Sequence, residues 1–312
     1  MHVVAGLLVD DPGRLLLAQR PPGKHLAGMW EMPGGKLEPG ESALQALARE
    51  LDEELGIHLD AGSVEPLIRI PWTYGDRSLF LEAMIVRRWR GEPQALDAAA
   101  IAWHLPWDID AGILAPADRP MLNALRLPTS YAITPAELSV AQARGWILAA
   151  LDRGGRLLQL RLPDVAVSEV RELAADMQPL VRACGAQLLL NGDIEGARAL
   201  GPGVGVHLRS AQLESLSARP LPYGQLVGAS CHDAQELVAA VRTGADFATL
   251  SPVHPTRSHP GAPALGWQRF EALAEAAPMP VYALGGMRVE WIDEARRFGA
   301  QGVAGIGAFV TT

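Results

Sequence analysis

Between residues 131 and 306 the chain passes through eight short β-rich runs, at 131–134, 157–161, 187–190, 205–208, 226–230, 247–250, 281–284 and 303–306, separated by helical stretches of Ala, Leu, Glu and Arg. This alternation constrains the fold more than any other feature of the sequence. Strands that alternate with helices pair in parallel, and eight such runs suggest a closed (β/α)8 TIM-type barrel. An open doubly wound sheet uses the same alternation and remains the competing arrangement. In either case functional groups belong on the loops that follow the strand C-termini.

Residues 1–128 read differently. Apolar runs at 3–9 and 14–19 flank Asp10-Asp11-Pro12-Gly13, a turn signature that predicts an opening hairpin. A Pro- and Gly-rich loop over 21–40 leads to a helix over 42–55 that stops at Gly56. A strand is expected over 78–88 and a short helix over 121–126, after which Leu127-Pro128-Thr129-Ser130 reads as a linker. The expected domains are therefore 1–128 and 129–312. A length of 312 residues with 49% hydrophobic content also exceeds what one core usually holds.

Charge and cysteine content narrow the function. Lys plus Arg number 27 against 35 Asp plus Glu, a formal charge of −8, which offers no broad basic surface for duplex nucleic acid. Cys184 and Cys231 are far apart and lack metal-ligand spacing, so they read as reduced thiols of a cytosolic protein. The N-terminal apolar run is too short to span a bilayer and has no basic start, so it reads as a strand; no membrane partner is expected.

The most informative string is GGKLEPGESALQALARELDEELGI, residues 34–57. On a helix Glu50, Glu53 and Glu54 stand at i, i+3 and i+4, so three carboxylates share one face while Leu44, Leu47, Leu51 and Leu55 form the opposite stripe. Such crowding repels unless cations neutralise it, and hard oxygen ligands at this density suit Mg²⁺ or Mn²⁺ bridged to phosphates. Arg49 stands ready to orient a carboxylate by bidentate bonding.

Gly35, Glu41, Arg49-Glu50-Leu51, Glu53-Glu54 and Gly56-Ile57 match every specified position of the Nudix box, G-x5-E-x7-R-E-U-x-E-E-x-G-U with U apolar. The first 128 residues thus resemble Nudix hydrolases, which implies an α/β/α sandwich with a mixed sheet. The resemblance also implies that Glu50, Glu53 and Glu54 hold metal and activate water, that Arg49 orients Glu50, and that Gly35 lets the loop approach metal or phosphate. Arg20 or Lys24 would meet the phosphates. The surrounding string AQRPPGKHLAGMWEMPGGKLEPGE and the later LAPADRP resemble MutT-like members that hydrolyse 8-oxo-dGTP to the monophosphate and pyrophosphate. This places Arg20, His25, Gly34, Gly35 and Asp118 in the nucleotide pocket.

Several positions carry two readings. His25 is a pocket residue or an exposed loop histidine. Asp118 stands where the bacterial prototype has an asparagine that bonds the oxidised purine; an ionised Asp accepts from the new N–H but cannot donate to the neighbouring carbonyl, whereas a protonated one does both. Its other reading is a helix N-cap. Asp97 stands either as a weak metal-side acid or as a surface aspartate, and Trp30 either lines a stacking wall or packs in the core.

The second region resembles thiamine-phosphate synthase and its TenI-like relatives, through YAITP, LLQLRLP, LLLNGD, GVGVHL, VGASCH, FATLSPVHPTRSHPG, VYALGGM and GVAGIGAF in order. The resemblance implies a phosphate held by Gly-rich loops after the last two strands, at Gly285, Gly286, Gly305 and Gly307. The chain departs from the synthase pattern at Pro163, at Asn191-Gly192 with Asp193 displaced, at Gln212 and at His259, where the family places acids and lysines that hold Mg²⁺ and pyrophosphate. His254 and His259 are candidates for proton transfer, or solvated loop histidines.

Together the two resemblances imply a cytoplasmic Mg²⁺-dependent hydrolase of a small nucleotide, most directly 8-oxo-dGTP, joined to a barrel that binds a phosphorylated small molecule without synthase activity. The alternatives are a Nudix enzyme for thiamine-related or pyrimidine diphosphates, with the barrel as a thiamine-pathway ligand-binding, tautomerase or regulatory module, and a barrel that is a non-enzymatic binding or regulatory module.

Overall fold

The computed structural model describes residues 1–256 and 263–306. The chain forms two compact units, Met1–Arg126 and Leu127–Thr312.

The first unit contains β1 (His2–Leu8), β2 (Leu15–Gln19), β3 (Trp30–Glu31), α1 (Ala43–Leu55), β4 (His58–Leu59), β5 (Val64–Tyr74), β6 (Arg77–Val86), β7 (Trp89–Arg90), β8 (Ala100–His104) and α2 (Arg119–Arg126). Its sheets run β1-β6-β5, β3-β2-β8 and β4-β7. β1 lies parallel to β6 while β5 lies antiparallel to it, so the first sheet is mixed. Alternation along β1 sets the layers. Val4 and Leu8 face a core shared with Ala46, Leu47, Leu51 and Leu55 of α1, whereas Ala5, Leu7 and Val9 face a second core with Leu114, Met121 and Leu122 beside and within α2. The result is the expected α/β/α sandwich.

The opening hairpin does not form as a strand pair. The turn is present, with Asp10 accepting from the Arg14 N–H at 2.7 Å, but only the bridge Val9–Leu15 joins its two arms. β1 is buried on both faces and pairs along its whole length with β6, and β2 pairs instead with β3 and β8. A local turn signal fixes the chain reversal, not which strand becomes the neighbour.

Helix α1 begins and ends where its sequence requires. Ser42 accepts from the Gln45 N–H and the Gln45 side chain accepts from the Ser42 N–H, a reciprocal capping box. Gly56 ends the helix at φ 69°, a left-handed conformation costly for other residues. Leu47, Leu51 and Leu55 are fully buried, each contributing roughly 2 kcal/mol of transfer free energy.

The second unit is a closed barrel, all parallel, which decides against the open sheet. Its strands are β9 (Ser130–Ile133), β10 (Leu157–Leu160), β11 (Gln187–Asn191), β12 (Val204–Leu208), β13 (Val227–Cys231), β14 (Phe247–Leu250), β15 (Val281–Ala283) and β16 (Gly302–Ile306). Pairing of β16 with β9, Gly305 opposite Ala132, closes the ring. The connecting helices are α3 (Val140–Asp152), α4 (Val167–Ala183), α5 (Ile194–Leu200), α6 (Ser210–Leu213), α7 (Ala234–Arg242), α8 (Gly266–Glu275) and α9 (Ile292–Arg297). Outward residues such as Leu158, Leu160, Leu188 and Leu190 pack under these helices, while Tyr131, Leu157, Leu189, Phe247 and Tyr282 fill the interior. The aromatic rings meet at centroid separations of 5.4–5.8 Å, so the interior is a packed core and not a pore. No helix among the described residues is long and apolar enough to cross a membrane.

Candidate active site

The C-terminal half of α1 carries the acidic face against the turn at Gly34-Gly35. That turn is tied to β1, because the Val4 N–H donates to the Gly35 carbonyl and the Gly6 N–H to the Pro33 carbonyl, each at 2.8 Å. Gly34 sits at φ +144°, where a Cβ would lie 2.2 Å from the Val4 carbonyl oxygen. A Cβ on Gly35 would fall 2.3 Å from the carboxylate of Glu50. Only glycine admits the helix carboxylates this close to the turn. From the other side Glu54 Oε2 accepts from the Gly34 N–H at 3.0 Å.

Arg49 is the hub of the acidic array. Its guanidinium donates to Glu41 at 2.9 and 3.1 Å, to Glu50 at 3.0 Å, to Glu53 at 3.3 Å and to the Lys36 carbonyl at 3.0 Å. The bonds to Glu41 raise the Arg49 pKa and hold the Glu41 carboxyl below its usual range. Glu41, which the sequence offered only as part of a spacing, therefore fixes the arginine that orients Glu50.

Glu54 behaves differently. Burial pushes its carboxyl up to about 7, opposed by the Gly34 N–H and reinforced by the negative charge of Glu31, Glu50 and Asp97. Four carboxylates thus act on one another across a small region, the donor chemistry that suits a hard divalent cation. They are not a ready-made cage: among the described residues no three Asp, Glu, His or Cys side chains are gathered closely enough to hold a metal ion. The Glu53 side chain is 60% exposed and points into Arg49.

The nucleotide-side candidates form a second group adjoining the first. Arg20 ion-pairs with Glu31 and donates to the His25 carbonyl at 2.6 Å. His25 is exposed and meets Tyr74 edge-on at 5.5 Å. The Tyr74 hydroxyl accepts from the Ala117 N–H at 3.3 Å. Next to it Asp118, buried at 6% exposure, accepts from the Met32 N–H at 2.8 Å across 86 residues of sequence. Burial pushes the Asp118 carboxyl up to about 8, helped by Glu31 and opposed by Met32 and Arg20. At neutral pH it is mostly a neutral acid, able both to donate and to accept. Trp30 packs against the core around Leu114 and Met121, edge-on to His104 at 6.1 Å, as a core residue would.

In the barrel the structure describes one of the two candidate histidines, His254, and a buried one, His207, that the sequence did not single out. His254, on the loop after β14, is edge-on to Trp267 and Trp291 at 5.6 and 5.2 Å, and its N–H donates to the Gly285 carbonyl at 3.2 Å. His259 and Gly307 lie outside the described residues. The interior histidine is His207, which shares a hydrogen bond with the Tyr131 hydroxyl at 3.0 Å and with Ser230 Oγ at 2.9 Å. Burial lowers its pKa to about 3, so it is neutral. Gln159 donates to Asn191 at 3.2 Å beside it. Nothing local in GVGVHL marks His207 for these contacts, since its partners stand on β9 and β13.

Gly285 and Gly286 form a turn after β15, packed on Pro252 and His254. Gly305 is not in a loop: it pairs within β16, because the strand runs through Ile306. Asp193 is held by Arg171 at 2.7 Å through two bonds, which keep its carboxyl below the usual range, and it caps α5. Gln212 is committed to the Gly192 carbonyl and the Arg209 N–H.

Comparison with known proteins agrees with both halves. A family model described as thiamine monophosphate synthase matches residues 130–309, and one described as NUDIX domain matches residues 1–125. Over 186 residues the chain is 34% identical to a putative thiamine-phosphate synthase 2 of Aquifex aeolicus, covering 60% of this chain and 100% of that protein. Over 124 residues it is 43% identical to the CTP pyrophosphohydrolase of Escherichia coli, covering 40% of this chain and 90% of that protein. An 8-oxo-dGTP diphosphatase of Proteus vulgaris is 40% identical over 105 residues, covering 34% of this chain and 92% of that protein.

Proposed function

Because the chain belongs to the Nudix family through its N-terminal unit and to the thiamine monophosphate synthase family through its barrel, we propose that the first unit is a Mg²⁺-dependent nucleoside triphosphate pyrophosphohydrolase acting on 8-oxo-dGTP. Nudix membership supports hydrolysis of a pyrophosphate bond. The observation that carries the substrate reading is Asp118, a buried carboxyl that accepts from the Met32 N–H and whose pKa burial pushes up to about 8. Oxidation turns the N7 acceptor of guanine into an N–H donor beside the O6 acceptor. A neutral carboxylic acid matches that donor–acceptor pair and mismatches the two acceptors of unoxidised guanine.

Glu50, Glu53 and Glu54 hold the cation in this reading, with Mn²⁺ able to replace Mg²⁺. Bound there, the metal supplies charge neutralisation and acidifies a water. Arg49, braced by Glu41, sets the Glu50 carboxylate, and Glu54, whose pKa burial and neighbouring acids raise in the cation-free protein, gains most from the cation's charge. Gly34 and Gly35 let the turn close on β1 and on the Glu50 carboxylate, which brings its backbone to the phosphate side of the acidic face, and Arg20, released from Glu31, is a phosphate or ribose contact.

A second reading, a cytosine nucleotide, rests on the same acid. The N3 acceptor and N4 donor of cytosine also match a neutral carboxyl, and the relative that is 43% identical is named for CTP. Pyrophosphate release measured with 8-oxo-dGTP, dGTP and CTP separates the readings. The expected result is kcat/KM for 8-oxo-dGTP at least about a hundredfold above that for dGTP. A preference for CTP over 8-oxo-dGTP would replace the first reading with the second.

For the barrel we infer binding of a phosphorylated small molecule, such as a thiazole monophosphate, without joining of a pyrimidine diphosphate to it. The support is the commitment of Asp193 to Arg171 and of Gln212 to backbone groups, which leaves neither free to hold Mg²⁺ and pyrophosphate.

A further inference from the structure

The Lys24 ammonium lies within the field of the acidic cluster of the first unit. Lys24, in the loop after β2, ion-pairs with Asp97, in the loop after β7, at 2.5 Å. The two loops leave the paired ends of β2 and β8, where the Ala99 N–H donates to the Gln19 carbonyl at 2.9 Å, and each has a further anchor of its own. The Lys24 loop is closed on itself, the Gly28 N–H donating to the Arg20 carbonyl at 2.9 Å and Arg20 Nε to His25. The Asp97 loop is fixed to the end of α1, the Leu96 N–H donating to the Glu54 carbonyl at 3.1 Å and the Gln94 N–H to the Leu55 carbonyl at 3.0 Å. The ion pair therefore bridges the two walls beside Glu54. Lys24 also feels the negative charge of Glu54 and Glu31, and Glu54 and Glu31 both feel Asp97.

Both partners of the pair are about half exposed, Lys24 at 48% and Asp97 at 57%. Such a pair is weak and screened by salt, so it exchanges partners readily. An ammonium on a four-carbon stem has the reach to leave Asp97 for another anion, and it is a point charge without the fork geometry that would lock it to one carboxylate. Arg49 and Arg20, by contrast, are each tied by several bonds.

We propose that Lys24, held by Asp97 across the carboxylates of Glu31 and Glu54, is an exchangeable counter-ion: it stands in for the divalent cation in the free protein and turns to the triphosphate when cation and nucleotide bind. The inference rests on the reading of this unit as a metal-dependent triphosphate hydrolase and adds a residue that couples the two binding events. Its consequence is a split in sign. Removing the ammonium helps the bare cation, which no longer competes with it, and harms the nucleotide, which loses a phosphate contact.

The test uses the full chain and its Lys24→Met and Lys24→Arg variants, with Mn²⁺ binding followed by electron paramagnetic resonance without nucleotide, and kcat and KM measured on 8-oxo-dGTP and CTP. Lys24→Met is expected to bind Mn²⁺ about three- to tenfold more tightly than the parent at low salt, a difference that shrinks at 0.5 M KCl, while KM rises about fivefold and kcat changes less than about twofold. Lys24→Arg keeps the charge but has the fork that locks onto Asp97, so it should hold the parental Mn²⁺ affinity while KM stays raised. A purely structural lysine would not tighten Mn²⁺ binding. Mn²⁺ bound by the parent with equal or weaker binding in Lys24→Met overturns the proposal and leaves the metal reading standing. Failure of parent and variant alike to bind Mn²⁺ overturns both.

Discussion

Glu54→Gln should make the protein more stable and nearly inactive, with the gain in stability growing as pH rises. The Glu54 carboxyl goes from an ordinary 4.5 to about 7 in the fold, chiefly because it is buried beside other acids. Below pH 4.5 it is protonated in both folded and unfolded chains and the two proteins should be equally stable. Between 4.5 and 7 the unfolded chain gives up its proton while the folded chain keeps it, so the parent loses stability with each step in pH. Above 7 the penalty is constant. The full difference corresponds to on the order of 3 kcal/mol, reduced to about 2 kcal/mol for the partial solvent exposure of the side chain.

Glutamine preserves the acceptor for the Gly34 N–H and carries no charge. Calorimetry in EDTA should then place the melting transition of the first unit about 8 °C higher in Glu54→Gln at pH 8, and within about 1 °C of the parent at pH 4.5. Saturating Mg²⁺ should close most of the gap at pH 8, because the cation stabilises only the ionised parent. Pyrophosphate release should fall by about a hundredfold or more. A melting difference that is the same at pH 4.5 and pH 8 would refute the picture of an uncompensated acidic cluster.

Asp118→Asn keeps both a donor and an acceptor and the bond to Met32; the parent's preference for 8-oxo-dGTP over dGTP should decline as pH rises through about 8, where Asp118 ionises, and the variant's should not, as paired kcat/KM profiles would show. Glu53→Gln should leave the melting temperature within about 1 °C, since that side chain is exposed, and still lower Mg²⁺-dependent turnover by orders of magnitude; near-normal turnover would remove Glu53 from the metal set. For the barrel, calorimetric titration with thiazole monophosphate should show binding, while incubation with both synthase substrates and Mg²⁺ should yield no thiamine phosphate; steady production would overturn that inference.

What could be read from the sequence was what repeats within a few residues. The glutamate face and its leucine stripe follow from helical spacing, and the barrel follows from eight alternations whose closure pairs β16 with β9. What could not be read depends on partners distant along the chain. Asp118 meets Met32 across 86 residues, His207 meets Tyr131 across 76, and Lys24 meets Asp97 across 73. The raised pKa values of Asp118 and Glu54 come chiefly from burial, which spacing does not report. The opening hairpin failed for the same reason, since a longer-range partner, β6, took the whole of β1.

The most direct test of the account is to hydrolyse 8-oxo-dGTP with the purified protein and Mg²⁺ in ¹⁸O-labelled water and to identify the products by mass spectrometry. The account predicts 8-oxo-dGMP and pyrophosphate in equal amounts, one of them carrying a single ¹⁸O, and no reaction in EDTA. Orthophosphate as the first product, or turnover that is indifferent to the metal, would contradict it.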